Sequence, residues 1–173
     1  TDQVNVSGTE PVEVFSIQLL EVRCFGEATG SANLTLRGGQ PPYQYAWSNG
    51  GTTNVVRGLM GGTYTVTVSD QGNCRDTLSV EIVQPEAVKV TNIRVIPAPT
   101  GNTGGIDISV AGGSPPYDFR WFKGSTLLSA TEDLMGIGIG EYIVEVYDAN
   151  NCSYRSDPIV VSKTVAVEDL ALA

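Results

Sequence analysis

Histidine is absent from this 173-residue chain, and lysine and arginine together number only 10. The missing imidazole removes Ser–His–Asp and Cys–His nucleophilic catalysis, since both need a ring nitrogen to take the nucleophile's proton. With three cysteines and no CxxC spacing, structural zinc is excluded as well. The scarcity of cations leaves a formal charge of −9, spread evenly, with no Lys/Arg cluster to meet phosphates. Nucleic acid and anionic membrane surfaces are therefore excluded as partners. No apolar run approaches the ~18 residues that suggest a membrane span, so membrane insertion is not expected. Nor does a signal peptide open the chain. The first residues, TDQVNV, read as a strand, so the chain is expected to be a piece of a longer polypeptide whose other parts direct export.

Glycine is plentiful at 20 residues and charged residues are sparse at 17%, a profile that suits a β-protein with many tight turns. An internal repeat organises it. GGQPPYQYAWSNG runs from Gly38 to Gly50 and GGSPPYDFRWFKG from Gly112 to Gly124, an offset of 112 − 38 = 74. At this offset Pro11 matches Pro85, Val14 matches Val88 and Gly30 matches Gly104. Beyond the motif the offset becomes 140 − 62 = 78, so Gly62 meets Gly140, Asp70 meets Asp148 and Cys74 meets Cys152. The second copy thus carries four extra residues between Gly124 and Gly140. Residues 1–10 match the end of the first copy and read as the last strand of a preceding repeat. Repeat 1 covers 11–85 and repeat 2 covers 86–163, with 164–173 a tail or the start of a next unit.

Within each copy the hydrophobic period is two. Ala32, Leu34 and Leu36 alternate with polar residues, as do Ile106, Ile108 and Val110. Tyr43, Tyr45 and Trp47 share one strand face, Tyr117, Phe119 and Trp121 another, and Tyr64 and Tyr142 begin further strands. These eight aromatics are the predicted core. Short alternating strands divided by turn signals predict an all-β fold: tandem small immunoglobulin-like antiparallel β-sandwiches. A proline in the VQPEAVKV junction removes a ladder donor, so the strands on its two sides are not expected to merge. A fairly stiff string of modules is expected.

The pattern GG-x-PPY-x-[YF]-x-W followed by G-x-Y-x-V-x-V-x-D-x-x-x-C resembles the SprB-type repeat of Bacteroidota cell-surface proteins. The first copy fits closely, including CFGEATG at 24–30 and DQGNC at 70–74. The second departs, with Ala98 at the first cysteine position and Trp121-Phe122-Lys123-Gly124 in place of WSNG. The family is named for a large adhesin of gliding bacteria exported by the type IX pathway. The resemblance implies secretion, surface display, adhesion or motility, and no catalytic residues.

With that resemblance, Cys24 and Cys74 are expected to form a disulfide, two reduced buried thiols being the alternative. Closing this loop would contribute about 4 kcal/mol on a chain-entropy estimate. Cys152 is then left as a free buried thiol. Asp70, Asn73, Asp148 and Asn150, with Asn151, offer hard oxygens that make calcium a weak cofactor candidate, but turns favour the same residues and EF-hand spacing is absent. GIGIG at 136–140 lacks the following helix that a phosphate-cradling loop needs. Phe122 and Tyr147 fall on the solvent faces of their strands in the second copy only, and are candidate surface contacts. Thr77, in the DTL triplet at 76–78, resembles a Bacteroidota O-glycan acceptor. The functional expectation is a non-enzymatic stalk and interaction segment of a secreted surface adhesin. Its expected partners are polysaccharide or an abiotic surface and the neighbouring repeats. The alternative is a carbohydrate-binding or spacer module of an extracellular hydrolase.

Overall fold

A computed structural model of the chain describes residues 10–164. The strand expected over 1–10 and the tail lie essentially outside these residues. All regular elements among the described residues are β-strands, and the chain divides between Gln84 and Pro85 into two compact units.

The first unit runs β1 (Glu13–Leu20), β2 (Gly30–Arg37), β3 (Gln44–Trp47), β4 (Val55–Leu59), β5 (Gly62–Ser69) and β6 (Arg75–Ile82). They form two antiparallel sheets, β1-β2-β4 and β3-β5-β6. That division of first, second and fourth strands from third, fifth and sixth matches the ABE and CFG sheets of an immunoglobulin-like sandwich. The second unit repeats it with β7 (Lys89–Ile96), β8 (Gly104–Ala111), β9 (Asp118–Lys123), β10 (Thr126–Ser129), β11 (Leu134–Ile137), β12 (Gly140–Tyr147), β13 (Ser153–Arg155) and β14 (Ile159–Val161). Its sheets are β7-β8-β11 and β10-β9-β12-β13, with β14 also paired to β12. The four extra residues of the second copy appear as β10, which extends β9 into a hairpin through Thr126↔Lys123 and Leu127↔Phe122.

Alternation places the core. Ala32 and Leu34 on β2, and Val66 and Val68 on β5, point inward and are buried, as are Ile106, Ile108, Val144 and Val146 in the second unit. Each of the valine, leucine and isoleucine side chains contributes about 1.5–3 kcal/mol on burial. The outward threonines of β5 pair by hydroxyl with β6, Thr65 with Ser79 at 2.9 Å and Thr67 with Thr77 at 3.1 Å. Cross-strand pairs of this kind stabilise the wet face modestly.

The two copies do not superpose at one offset. Gly39 donates from N to the Glu10 carbonyl, and Gly113 donates to that of Glu86, so the first strands correspond at 86 − 10 = 76. Val12 therefore matches Val88, both buried, and Pro11 matches Ala87 rather than Pro85. The shift continues into the next loop. Val22 donates to Val83 O and Ala98 to Ser162 O, which makes buried Ala98 the counterpart of Val22. The expected equivalence of Ala98 with Cys24 is corrected: Cys24 sits in a loop two residues longer than its counterpart.

The double glycine is dictated by close approach. Gly38 has φ 64° and Gly112 has φ 77°, and a Cβ on them would lie 2.2 Å from Pro11 O and 2.0 Å from Ala87 O. Both the left-handed backbone and the contact with the first strand require glycine.

Candidate functional site

Each unit has a proximal end, where the chain enters, and a distal end, where it leaves. The recurring motif builds the proximal end. Asp70, buried after β5, accepts Gln40 N–H at 3.0 Å on Oδ2 and Cys74 N–H at 2.9 Å on Oδ1. Asp148 does the same after β12, accepting Ser114 N–H at 2.8 Å on Oδ2, and Asn150 and Cys152 N–H, each at 2.8 Å, on Oδ1. Asn73 and Asn151 take the left-handed conformation, each with φ 63°, which closes the turn beneath the carboxylate. Tyr43 donates to Gly38 O at 2.7 Å and Tyr117 to Gly112 O at 2.6 Å. The result is a clasp: one carboxylate joins the hairpin turn to the GG-x-PP loop, and one phenol fastens that loop to the strand after it.

This geometry bears on the calcium candidates. The Asp70 and Asp148 oxygens already accept backbone N–H groups, a positive lining that suits a carboxylate and repels a cation. Asn150 donates from N to Asp148 and from Nδ2 to Ser114 Oγ at 3.1 Å. No cluster of three or more His, Cys, Asp or Glu side chains placed for a metal occurs among the described residues. Of the four candidate positions, the two carboxylates, Asp70 and Asp148, are taken up by clasp bonding.

The cysteine expectations are corrected. Cys74 is an exposed free thiol, whereas Cys24 and Cys152 are both disulfide-bonded. The physical reason is that Cys24 and Cys74 lie at opposite ends of the first unit. Cys24 belongs to the distal loop, held there by Val22 N–H to Val83 O and by Gly26 N–H to Gln84 Oε1. Cys74 closes the β5–β6 turn at the proximal end. The eight-residue strands between them span about 23 Å, and a disulfide needs Cα atoms within about 7 Å.

Of the eight predicted core aromatics, Trp47, Trp121 and Tyr142 are buried. Tyr43, Tyr45, Tyr64, Tyr117 and Phe119 are half-buried and pack against the two cores. The tryptophan N–H groups are satisfied, Trp47 Nε1 by Thr53 O at 2.9 Å and Trp121 Nε1 by Thr131 O and Glu132 O at 3.1 and 3.2 Å. Tyr64 donates to Met60 O at 3.1 Å and Tyr142 to Gly138 O at 2.8 Å. These bonds to carbonyls four residues upstream make the tyrosine corner of immunoglobulin-like sandwiches. Burial first, and neighbouring Tyr43 second, raise the Tyr45 phenol above its ordinary value, so it stays neutral.

Outside the shared core, the second unit has its own surface. Phe122 and Tyr147 face away from the core, as the period requires, yet both are half-buried rather than open. Phe122 lies between Leu127 on β10 and Ile143 on β12. Tyr147 is covered by the Arg120 guanidinium, 4.6 Å from the ring centroid, and its hydroxyl donates to Glu145, which also pairs with Arg155. Arg120 was not predictable as a partner of Tyr147, because the two meet only across the β9–β12 pair, whereas Glu145 lies two residues away on the same strand. Next to this sheet an open hollow of about 700 Å³ lies between β10 and β11, lined by residues including Leu128, Glu132 and Met135. Thr77 is exposed on β6, with its hydroxyl bonded to Thr67.

No curated protein matches the chain. Among solved structures it is similar to the three N-terminal domains of the Highly Immunogenic Outer Capsid protein of bacteriophage RB49. There the identity is 16% and the TM-score 0.46, over 88% of this chain and 59% of that one. A three-Ig structure of titin domains is 15% identical with a TM-score of 0.39, over 88% and 64%. Dimeric latent PorU from Porphyromonas gingivalis is 15% identical with a TM-score of 0.29, over 94% and 21%. The chain spans less than two thirds of each of these three. The family model described as the SprB repeat matches residues 20–52 and 100–126, one stretch in each unit, so each unit carries a stretch similar to the SprB repeat.

Proposed function

We propose that the chain is a non-enzymatic stalk and interaction segment of a large secreted adhesin, displayed on the cell surface and serving attachment and gliding. The observation that carries this reading is the division of labour between the copies. Clasp, tryptophan and tyrosine corner recur in both units, while the outer face of β9 and β12 differs. A device repeated in every unit builds length, and differences between units supply contacts. In the second unit Arg120, Phe122 and Tyr147 stand where the first has Ala46, Ser48 and Ser69. An aromatic and guanidinium surface of this kind stacks on sugar rings or on apolar solids. Export through the type IX pathway of a Bacteroidota cell is what the SprB resemblance implies. Thr77, accessible on an edge strand, is the position where an O-glycan would be carried.

The test gives the second unit the first unit's surface. Arg120→Ala, Phe122→Ser and Tyr147→Ser together should change stability by only about 1–2 kcal/mol, since the side chains lie outside the core. Attachment of beads bearing the chain to polysaccharide-coated and bare glass should fall about tenfold, the loss of roughly 1.4 kcal/mol of contact. Unchanged attachment by a folded triple variant would refute the assignment of contact to this face.

A further inference from the structure

We propose that the second unit associates side by side with a second copy of this chain, the free edge of β7 in one copy lying against β11 of the next. Both surfaces belong to one sheet. In the order β7-β8-β11, β7 and β11 are the opposite edges, and each pairs with one strand only among the described residues. Such an edge offers backbone N–H and C=O groups to any strand that approaches it.

The β7 edge supplies the strand. Ile93 and Val95 lie opposite Ile108 and Ile106 on the core side of the sheet. Their partners are buried, yet Ile93 and Val95 are exposed. The sheet ends at β7, so these side chains meet the core along one flank and water along the other.

The β11 edge supplies the slot. The open hollow of about 700 Å³ lies between β10 and β11, on the side where the inward side chains of one more strand beyond β11 would go. Leu128 and Met135 line it, and both are exposed. Apolar side chains from an added strand would cover them, and methionine adapts readily to such a neighbour. The β10 wall is the hairpin strand that the extra residues of the second copy form.

Charge points to the occupant. Glu132 and Asp133 line the hollow, and none of its lining residues is basic. Strand β7 carries Lys89 and Arg94 and no acid. In a chain of formal charge −9, most contacts between copies are repulsive, whereas a basic strand in an acidic slot is locally attractive. Pairing β7 with β7 would instead set two basic strands together. The two surfaces differ and lie on opposite edges, so the contact is heterologous and does not close: each added copy leaves one strand and one slot free. Phe122 and Tyr147 belong to the other sheet, so the contact is independent of attachment through their face.

Sedimentation velocity of the full chain tests this, with Cys74→Ser throughout to remove the exposed thiol. Between about 10 μM and 1 mM the average mass should climb past that of a dimer. Ile93→Ser with Val95→Ser disables the strand, and Leu128→Ser with Met135→Ser disables the slot. All four side chains are exposed, so both variants should fold, which circular dichroism checks. Each alone should associate at least about tenfold more weakly than the parent, a loss of roughly 1.4 kcal/mol. Mixed in equal amounts they should form dimers and nothing larger, since one keeps its slot and the other its strand. If a serine pair unfolds the unit, Arg94→Glu and Glu132→Lys take its place, weak alone and dimeric when mixed. A parent that stays monomeric at about 1 mM overturns the proposal. So does either variant associating as strongly as the parent, or a mixture that stays monomeric.

Discussion

Asp148→Ala is expected to destabilise the second unit by about 3–5 kcal/mol, because three N–H donors, those of Ser114, Asn150 and Cys152, lose their acceptor at a buried site. For a unit of this size each kcal/mol lowers the melting temperature by roughly 4–8 °C, so a fall of about 15–30 °C should be seen by circular dichroism. Asp148→Asn keeps one oxygen and the shape, and should lose about half as much. Asp70→Ala removes only two such bonds and should be the milder lesion. A melting temperature within ~3 °C of the parent for Asp148→Ala would mean that water replaces the carboxylate and that the clasp is dispensable.

Trp121→Ala is expected to cost a similar ~3–5 kcal/mol, the range for removing a large aromatic side chain from a core. The residue is fully buried, at 0% exposure, so the cavity left behind has no easy way to collapse. It also fixes the inserted segment, since its Nε1–H reaches the carbonyls of Thr131 and Glu132. Trp121→Phe keeps much of the ring volume but orphans those carbonyls, and about 1–2 kcal/mol is the expected loss. Urea titration gives both values. Equal losses for the two substitutions would mean that the hydrogen bonds, rather than ring volume, dominate at this position.

What the sequence revealed follows from what is local. Strands β2, β5, β8 and β12 were legible because their inward residues recur strictly every second position. Strands β4 and β11 were not, because Gly58 and Gly136, at φ 69° and 71°, interrupt an alternation only four or five residues long. In β1 and β7 the register shifts between Val14 and Ser16 and between Val90 and Asn92. These bulges fall at equivalent positions in the two copies, and what misplaced the first strand when matched at a single offset is the loop after it, two residues longer in the first unit.

The site divides in the same way. Asp70 and Asp148 were legible as turn residues. Their role as acceptors was hidden because Gln40 and Ser114 lie 30 and 34 residues away in sequence. The cysteine pairing failed for a similar reason. Order along the chain places Cys24 before one strand and Cys74 after another, but not which end of the sandwich each occupies. Phe122 and Tyr147 were placed on the correct face. Their partial burial arises from β10, which the extra residues supply, and from Arg120, which only the β9–β12 register brings over the Tyr147 ring.

The central claim is that the motif shared by both copies is scaffold rather than binding surface. Native-state hydrogen exchange of the amides that the clasp holds tests it most directly. The N–H groups of Gln40, Cys74, Ser114, Asn150 and Cys152 lie in loops, yet the account predicts that they exchange as slowly as those of β5 and β12, since opening them means opening the unit. Exchange at the rates of free loops would contradict it, and would mark the proximal end as an open surface available to a ligand.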